Sequence, residues 1–114
     1  MTPKQFARYL ERDGRCYHCG ATDETLVPQH RIGRGMGSKN AKAERVSNVI
    51  VLCSMLNGLI ESDDRWASVA RANGWSLRSW QDPATAPVYD ALEGVWWLLG
   101  DDFTRQLDTT FKAL

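Results

Sequence analysis

The spacing of apolar positions along this chain changes several times, and each change marks an element. Phe6, Ala7 and Leu10 recur at helical spacing behind Thr2-Pro3, a cap residue followed by a proline suited to a first helical position. The pattern predicts a short amphipathic helix over residues 3–13, stopped by Gly14. Cys16-Tyr-His-Cys19-Gly20 reads as a tight turn. Leu26-Val27-Pro28-Gln29-His30-Arg31 reads as a short strand, which Pro28 confines to an edge or an irregular position. Residues 32–47 hold Gly33, Gly35 and Gly37 among polar groups and predict a long structureless connection, a kind of loop that often carries function. Asn48-Val-Ile-Val-Leu-Cys53 is apolar and β-branched, and predicts a strand. Ser54 can cap a helix from about Met55 whose apolar face is Leu56, Leu59 and Ile60. A second helix, or a continuation of that one after a kink, spans about Asp63 to Ala72 and ends at Asn73-Gly74.

Past residue 74 the period shortens. Trp75–Trp80, Pro87–Tyr89 and Val95–Leu99 predict three strands, the last two joined by a turn at Glu93-Gly94, and residues 103–114 a terminal helix or frayed tail. Four of the five tryptophans fall in residues 75–97. They read either as a stacking platform for bases or, more economically, as large rings filling a small core.

With 114 residues there is room for one domain, and 43% hydrophobic with 25% charged residues argues against wholesale disorder. A net charge of zero excludes a polybasic, histone-like protein. The charge is unevenly spread, however: residues 1–45 carry nine basic and five acidic side chains, and the rest carry five basic and nine acidic. No apolar run approaches the ~18 residues of a membrane span, and no signal peptide is expected, so the reading is a soluble, cytoplasmic chain. Three cysteines, two of them as Cys16-x-x-Cys19, suit metal binding or reduced thiols better than a disulfide scaffold.

The central segment carries the candidate chemistry. A strand ending in Gln29-His30, a basic loop, a strand beginning at Asn48 and a helix carrying Asn57 can bring His30, Asn48 and Asn57 to one cleft. A neutral imidazole beside a divalent cation is the arrangement that activates water for attack on a phosphodiester. Asn48 could orient the imidazole through its side-chain carbonyl, and Asn57 offers a carbonyl oxygen to the metal. Arg31, Arg34, Lys39, Lys42 and Arg45 in the loop read either as solvating charge or, beside a nuclease-like site, as phosphate contacts on DNA.

Cys16-x-x-Cys19, Gln29-His30-Arg31, Ser47-Asn48-Val-Ile-Val-Leu-Cys53 and Asn57, in this order, resemble the HNH endonucleases. The likeness extends to small HNH-like proteins of actinobacterial phages through Trp80-Gln-Asp-Pro83, Pro87-Val-Tyr89 and Trp96-Trp97. It covers residues 14–103, and the general signature residues 16–62. It implies an α+β fold over residues 1–114. A ββα-metal core at 14–62 would follow an N-terminal helix, with a helix and a tryptophan-rich β extension at 63–114. It also implies a DNA endonuclease using Mg²⁺ or Mn²⁺, in a host bacterial cytoplasm if phage-encoded. His30 would be the general base, Asn48 the residue that organises the loop and orients that base, and Asn57 the last position of an HNN variant.

Two departures qualify the resemblance. The residue before the base is commonly an aspartate or histidine that binds metal; Gln29 would take that place beside Asn57 as a metal ligand, but as a neutral amide it is a poorer one for a hard cation. Many relatives close a four-cysteine zinc site, but here Leu56 occupies the place of the fourth cysteine. Cys16, Cys19 and Cys53 therefore read either as a three-cysteine structural zinc site or as buried thiols, and in both cases they are expected to meet in space. The competing functional reading is a module that has lost chemistry and retains nucleic acid or a host or phage protein partner. A third is a structural or inhibitory phage protein without nucleic acid, which the zero net charge allows.

Overall fold

The computed structural model describes residues 1–33 and 41–110, and Arg34 and Lys39 lie outside them. Three helices and two small antiparallel sheets make an α+β arrangement among these residues. Helix α1 (Pro3–Asp13) begins as its sequence dictates. The Thr2 hydroxyl accepts from Gln5 N at 3.1 Å, and the Gln5 side chain accepts from Thr2 N at 2.9 Å, so two orphan donors are satisfied reciprocally. Gly14 closes it in the left-handed conformation.

Strands β1 (Leu26–His30) and β2 (Val49–Cys53) pair antiparallel, from Leu26 opposite Cys53 to His30 opposite Val49. All five residues of β2 are buried because the hairpin is covered on both faces. Val49 and Val51 pack on Tyr9 of α1 with Phe6 and Leu10 around it. Ile50 and Leu52 face the other way, into the main core with Tyr17, Leu56, Ala70, Trp75, Val88 and Leu99. The hairpin is therefore the middle layer of the molecule. Helices α2 (Ser54–Ser62) and α3 (Asp64–Ala72) follow directly, with Asp63 capping α3 through its carboxylate. Cys53, rather than the expected Ser54, is the N-cap of α2, its sulfur accepting from Leu56 N at 3.5 Å.

The second sheet holds β3 (Val88–Asp90), β4 (Val95–Leu99) and β5 (Arg105–Leu107) in that order. Two expectations are corrected. Residues 75–80 are not a strand: Trp75 N and Ser76 N both donate to Ala70 O at the end of α3, and Gln81 N closes a turn on Arg78 O. Residues 105–107, expected as helix or tail, form an edge strand against Trp97–Leu99. The described part of the connection before β2 holds two 3-10 turns where no regular structure was expected, at Ala41–Glu44 and Val46–Asn48. Gly74 is required where it stands: its φ is +73°, and a Cβ would run into the carbonyl oxygen of Pro87.

Candidate functional site

Alternation along β1 puts Gln29 opposite Ile50, on the α2 side of the hairpin, and His30 opposite Val49, on the α1 side. As the last residue of its strand, His30 nevertheless borders two cavities. One, of about 520 Å³, is lined by Gln29, His30, Gly33, Asn57, Glu61 and Ser76 among others. The second, of about 320 Å³, lies against α1 and includes Arg8, Tyr9, Glu44 and Phe103. The half-buried imidazole thus stands at the junction of a cleft bearing the amides of Gln29 and Asn57 with Glu61 and a cleft bearing Arg8 and Glu44.

The structure joins Gln29 and Asn57 directly. Asn57 Nδ2 donates to Gln29 Oε1 at 2.6 Å, and Gln29 Nε2 donates to the Trp75 carbonyl at 3.2 Å. Gln29 is only 9% exposed, and its amide clamps β1 to α2 and to the segment after α3. This fixes Asn57 in the orientation that turns its NH₂ toward Gln29.

Asn48 is fully buried and serves the loop backbone. Its carbonyl accepts from Ile32 N at 2.8 Å, and its NH₂ donates to Ile32 O and Ala43 O, each at 3.1 Å. It holds the chain leaving His30 against the chain entering β2. The carbonyl expected to orient the imidazole is thus engaged by Ile32, and Asn48 bears on His30 through the backbone. Glu61, which the sequence reading passed over, lines the same cavity as His30 and Asn57. Its signal was present in the spacing, since it follows Asn57 by four residues on α2.

The basic residues of the loop distribute differently from expectation. Arg31 is 1% exposed and cannot contact DNA. Its five N–H donors meet the carbonyls of Gly74, Ser47, Pro83, Ala86 and Pro87 at 2.6 to 3.3 Å, and burial pulls the guanidinium pKa down to about 10. Arg45 bonds Asp82 at 2.9 Å and Asp101 at 2.7 Å. Lys42 donates to the carbonyls of Ser79 and Gln81.

At the far end of the hairpin, Cys16 and Cys19 in the turn after α1 meet Cys53 at the end of β2. The three sulfur atoms lie within 4.8 Å of one another, as expected, with Cys19 exposed and the others buried. Ligands to one ion at a Zn–S distance of ~2.3 Å must lie within about 4.6 Å of each other, so little closure is needed. Backbone N–H groups already point at two of the sulfurs: His18 N at Cys16 (3.4 Å) and Leu56 N at Cys53 (3.5 Å). Among the described residues no fourth histidine, cysteine or carboxylate joins the group. His18 instead stacks on Trp75 at 5.4 Å, and burial lowers its pKa.

Comparison with known proteins returns no match from family models, curated proteins or solved structures.

Proposed function

We propose that this chain is an HNH-like nuclease domain of the ββα-metal type that hydrolyses phosphodiester bonds in DNA. The observation that carries the reading is the convergence of His30, Asn57 and Glu61 on one cavity at the end of a β-hairpin and its following helix. His30 takes the proton of the attacking water, and Asn48 sets its position by fixing the loop backbone. Asn57, through its carbonyl, and Glu61 would hold a divalent cation, which when bound supplies charge stabilisation for phosphate and leaving oxygen. Gln29 is a positioning residue: its oxygen is engaged by Asn57, so the anion missing at position 29 is supplied from α2. Cys16, Cys19 and Cys53 would hold a structural zinc ion at a separate site, with water as the remaining ligand.

The Gln29–Asn57 amide pair also favours a second reading, a non-cleaving nucleic-acid module, because it engages both neutral groups with each other. One experiment separates the two. Supercoiled plasmid is incubated with wild type and His30→Ala in Mg²⁺, in Mn²⁺ and in chelator. The nuclease reading expects metal-dependent nicking that falls by roughly 10²–10⁴-fold in His30→Ala. Equal activity in the two proteins, or none in wild type, rejects it.

A further inference from the structure

The tryptophans divide by burial. Trp75 is inside the core, Trp66 and Trp97 pack against it, and Trp96 tilts over Tyr89 at 5.0 Å. Trp80 is 76% exposed. Leaving that ring in water forgoes burial that a small domain can ill spare. The backbone beneath it is nevertheless firmly held. Gln81 N donates to Arg78 O at 3.0 Å, closing a turn with Trp80 in its third position. The Gln81 side chain reaches back to accept Arg78 N at 2.7 Å. Lys42 Nζ donates to Ser79 O at 3.2 Å and Gln81 O at 3.3 Å, one on each side of Trp80. The following segment is tied down by Arg31, which reaches Pro83 O at 2.9 Å. The ring is therefore presented on a braced turn, with an ammonium at the base and the exposed Arg78 at its start. The nearest acid in sequence, Asp82, is paired with Arg45 and also lies within the field of Lys42.

We propose that Trp80 is a stacking platform for a nucleobase of single-stranded nucleic acid, with Arg78 and Lys42 drawing in the flanking phosphates. An aromatic face stacks on any base, and adjacent cations track the backbone. A pre-braced turn presents the face at little cost in conformational entropy. The platform is also close to the candidate site. Ser76 lines the cavity of His30 and Asn57, and Leu77 N donates to Arg31 O at 2.7 Å. Trp80 lies four residue steps from Ser76, at most ~14 Å of extended chain. That is the rise of about four nucleotides of a stacked strand. A strand with a phosphate in the cavity would reach Trp80 with a base a few nucleotides away. The proposal deepens the nuclease reading and rests on it for the class of ligand.

The test measures binding of fluorescein-labelled dT12, and of a 12-base-pair duplex, by anisotropy in chelator, where no cleavage occurs. Trp80→Ala should weaken dT12 binding by roughly 5- to 150-fold and change duplex binding less than about twofold. Trp80→Phe, which keeps a ring, should lose less. Arg78→Gln should lower the slope of log affinity against log salt by about 0.7. Thermal melts confirm that these surface variants fold. Unchanged dT12 affinity in Trp80→Ala overturns the proposal, as does a wild type that does not bind dT12. A dimer that Trp80→Ala converts to monomer with dT12 affinity intact also overturns it, in favour of contact between copies of the chain. Failures of the two readings are distinguishable. Trp80-dependent binding with uncut plasmid rejects only the nuclease. His30-dependent nicking with Trp80→Ala binding dT12 normally rejects only the platform.

Discussion

Arg31 carries more of this structure than any other single polar side chain described, and for reasons that its position in the chain conceals. An arginine between a strand and a glycine-rich loop reads as a phosphate ligand, because nothing local would bury it. The five carbonyls that enclose it come from residues 47, 74, 83, 86 and 87, so the cage exists only after the chain has folded. The planar guanidinium matches them donor for acceptor; an ammonium, with three donors at a single nitrogen, cannot. Arg31→Lys should therefore be nearly as damaging as Arg31→Met. Buried carbonyls left unpaired cost ~1–3 kcal/mol each, though not additively. We expect a loss of more than about 4 kcal/mol in denaturant unfolding for either variant, large enough to leave little folded protein. Lys42→Ala, removing a side chain that braces a surface turn, should cost under about 1 kcal/mol. A stable Arg31→Lys protein with weakened DNA binding would return Arg31 to the phosphate-contact role that its burial argues against.

Among the elements, the hairpin and the helix after it were the most legible. Val49–Cys53 is apolar without a break because both faces of β2 are covered, and a five-residue buried strand has no other way to appear in a sequence. The Trp75–Trp80 segment alternates as a strand would, but Trp75 and Ser76 donate to the Ala70 carbonyl in the last turn of α3, and the chain turns at Arg78 before a ladder can form. Strand β5 has three residues, mostly exposed, and its pairing to β4 carries almost no hydrophobic signal. Of the three residues expected in one cleft, His30 and Asn57 line one cavity, whereas Asn48 is buried and bonds the loop backbone instead. Gln29 was expected to bind metal, whereas its two amide ends face Trp75 and Asn57. That pairing alters what Gln29→Asp should do. The shorter carboxylate supplies an anion beside the cavity, and Mn²⁺ affinity measured by calorimetry should rise. It also loses the donor to the Trp75 carbonyl, so stability should fall by about 1–3 kcal/mol in the same protein. A gain in metal affinity with no loss of stability would show that the Gln29 clamp on Trp75 is dispensable.

At the scale of the whole molecule, two long-range ties join the layers, one present and one that a bound ion would complete, and both should depend measurably on solution conditions. The first is Asp101, beyond β4, which receives Arg45 at 2.7 Å and Ser47 N at 2.9 Å and so anchors the segment entering β2 to the second sheet. Burial alone would raise its pKa, but the hydrogen bonds from Arg45 and Ser47 outweigh that and hold the carboxyl at about 2. A depressed pKa makes its stabilisation complete above the ordinary value of 3.8, with loss as pH falls from there toward 2. Asp101→Asn should flatten the acid limb of a midpoint-against-pH curve between about pH 4 and 2, and an unchanged limb would assign acid unfolding to other carboxylates. The second tie is the cysteine trio. Cys16 and Cys19 belong to the turn that follows α1, and Cys53 caps α2 at the end of the hairpin, so an ion shared by all three would pin the outer helix to the middle layer. The donor set is soft, and backbone N–H groups of His18 and Leu56 already contact Cys16 and Cys53, as they would around a bound ion. With Leu56 in place of a fourth ligand, binding should be weaker than in a four-thiolate site and reversible with a chelator. Protein purified without added metal should hold about one zinc per chain by elemental analysis. Chelation should lower its melting temperature, and re-addition of zinc should restore it. Cys53→Ser should abolish both the zinc and the chelator response, whereas a protein free of zinc and indifferent to chelator would leave three packed thiols and no metal. Replacing the ion by Co²⁺ distinguishes the ligand sets directly: three sulfurs and a water in the wild type should give a d–d spectrum that shifts to that of four sulfurs in Leu56→Cys. The shift requires only that residue 56 lie one helical turn from Cys53 with its backbone N–H already on that sulfur, which is where the fold puts it.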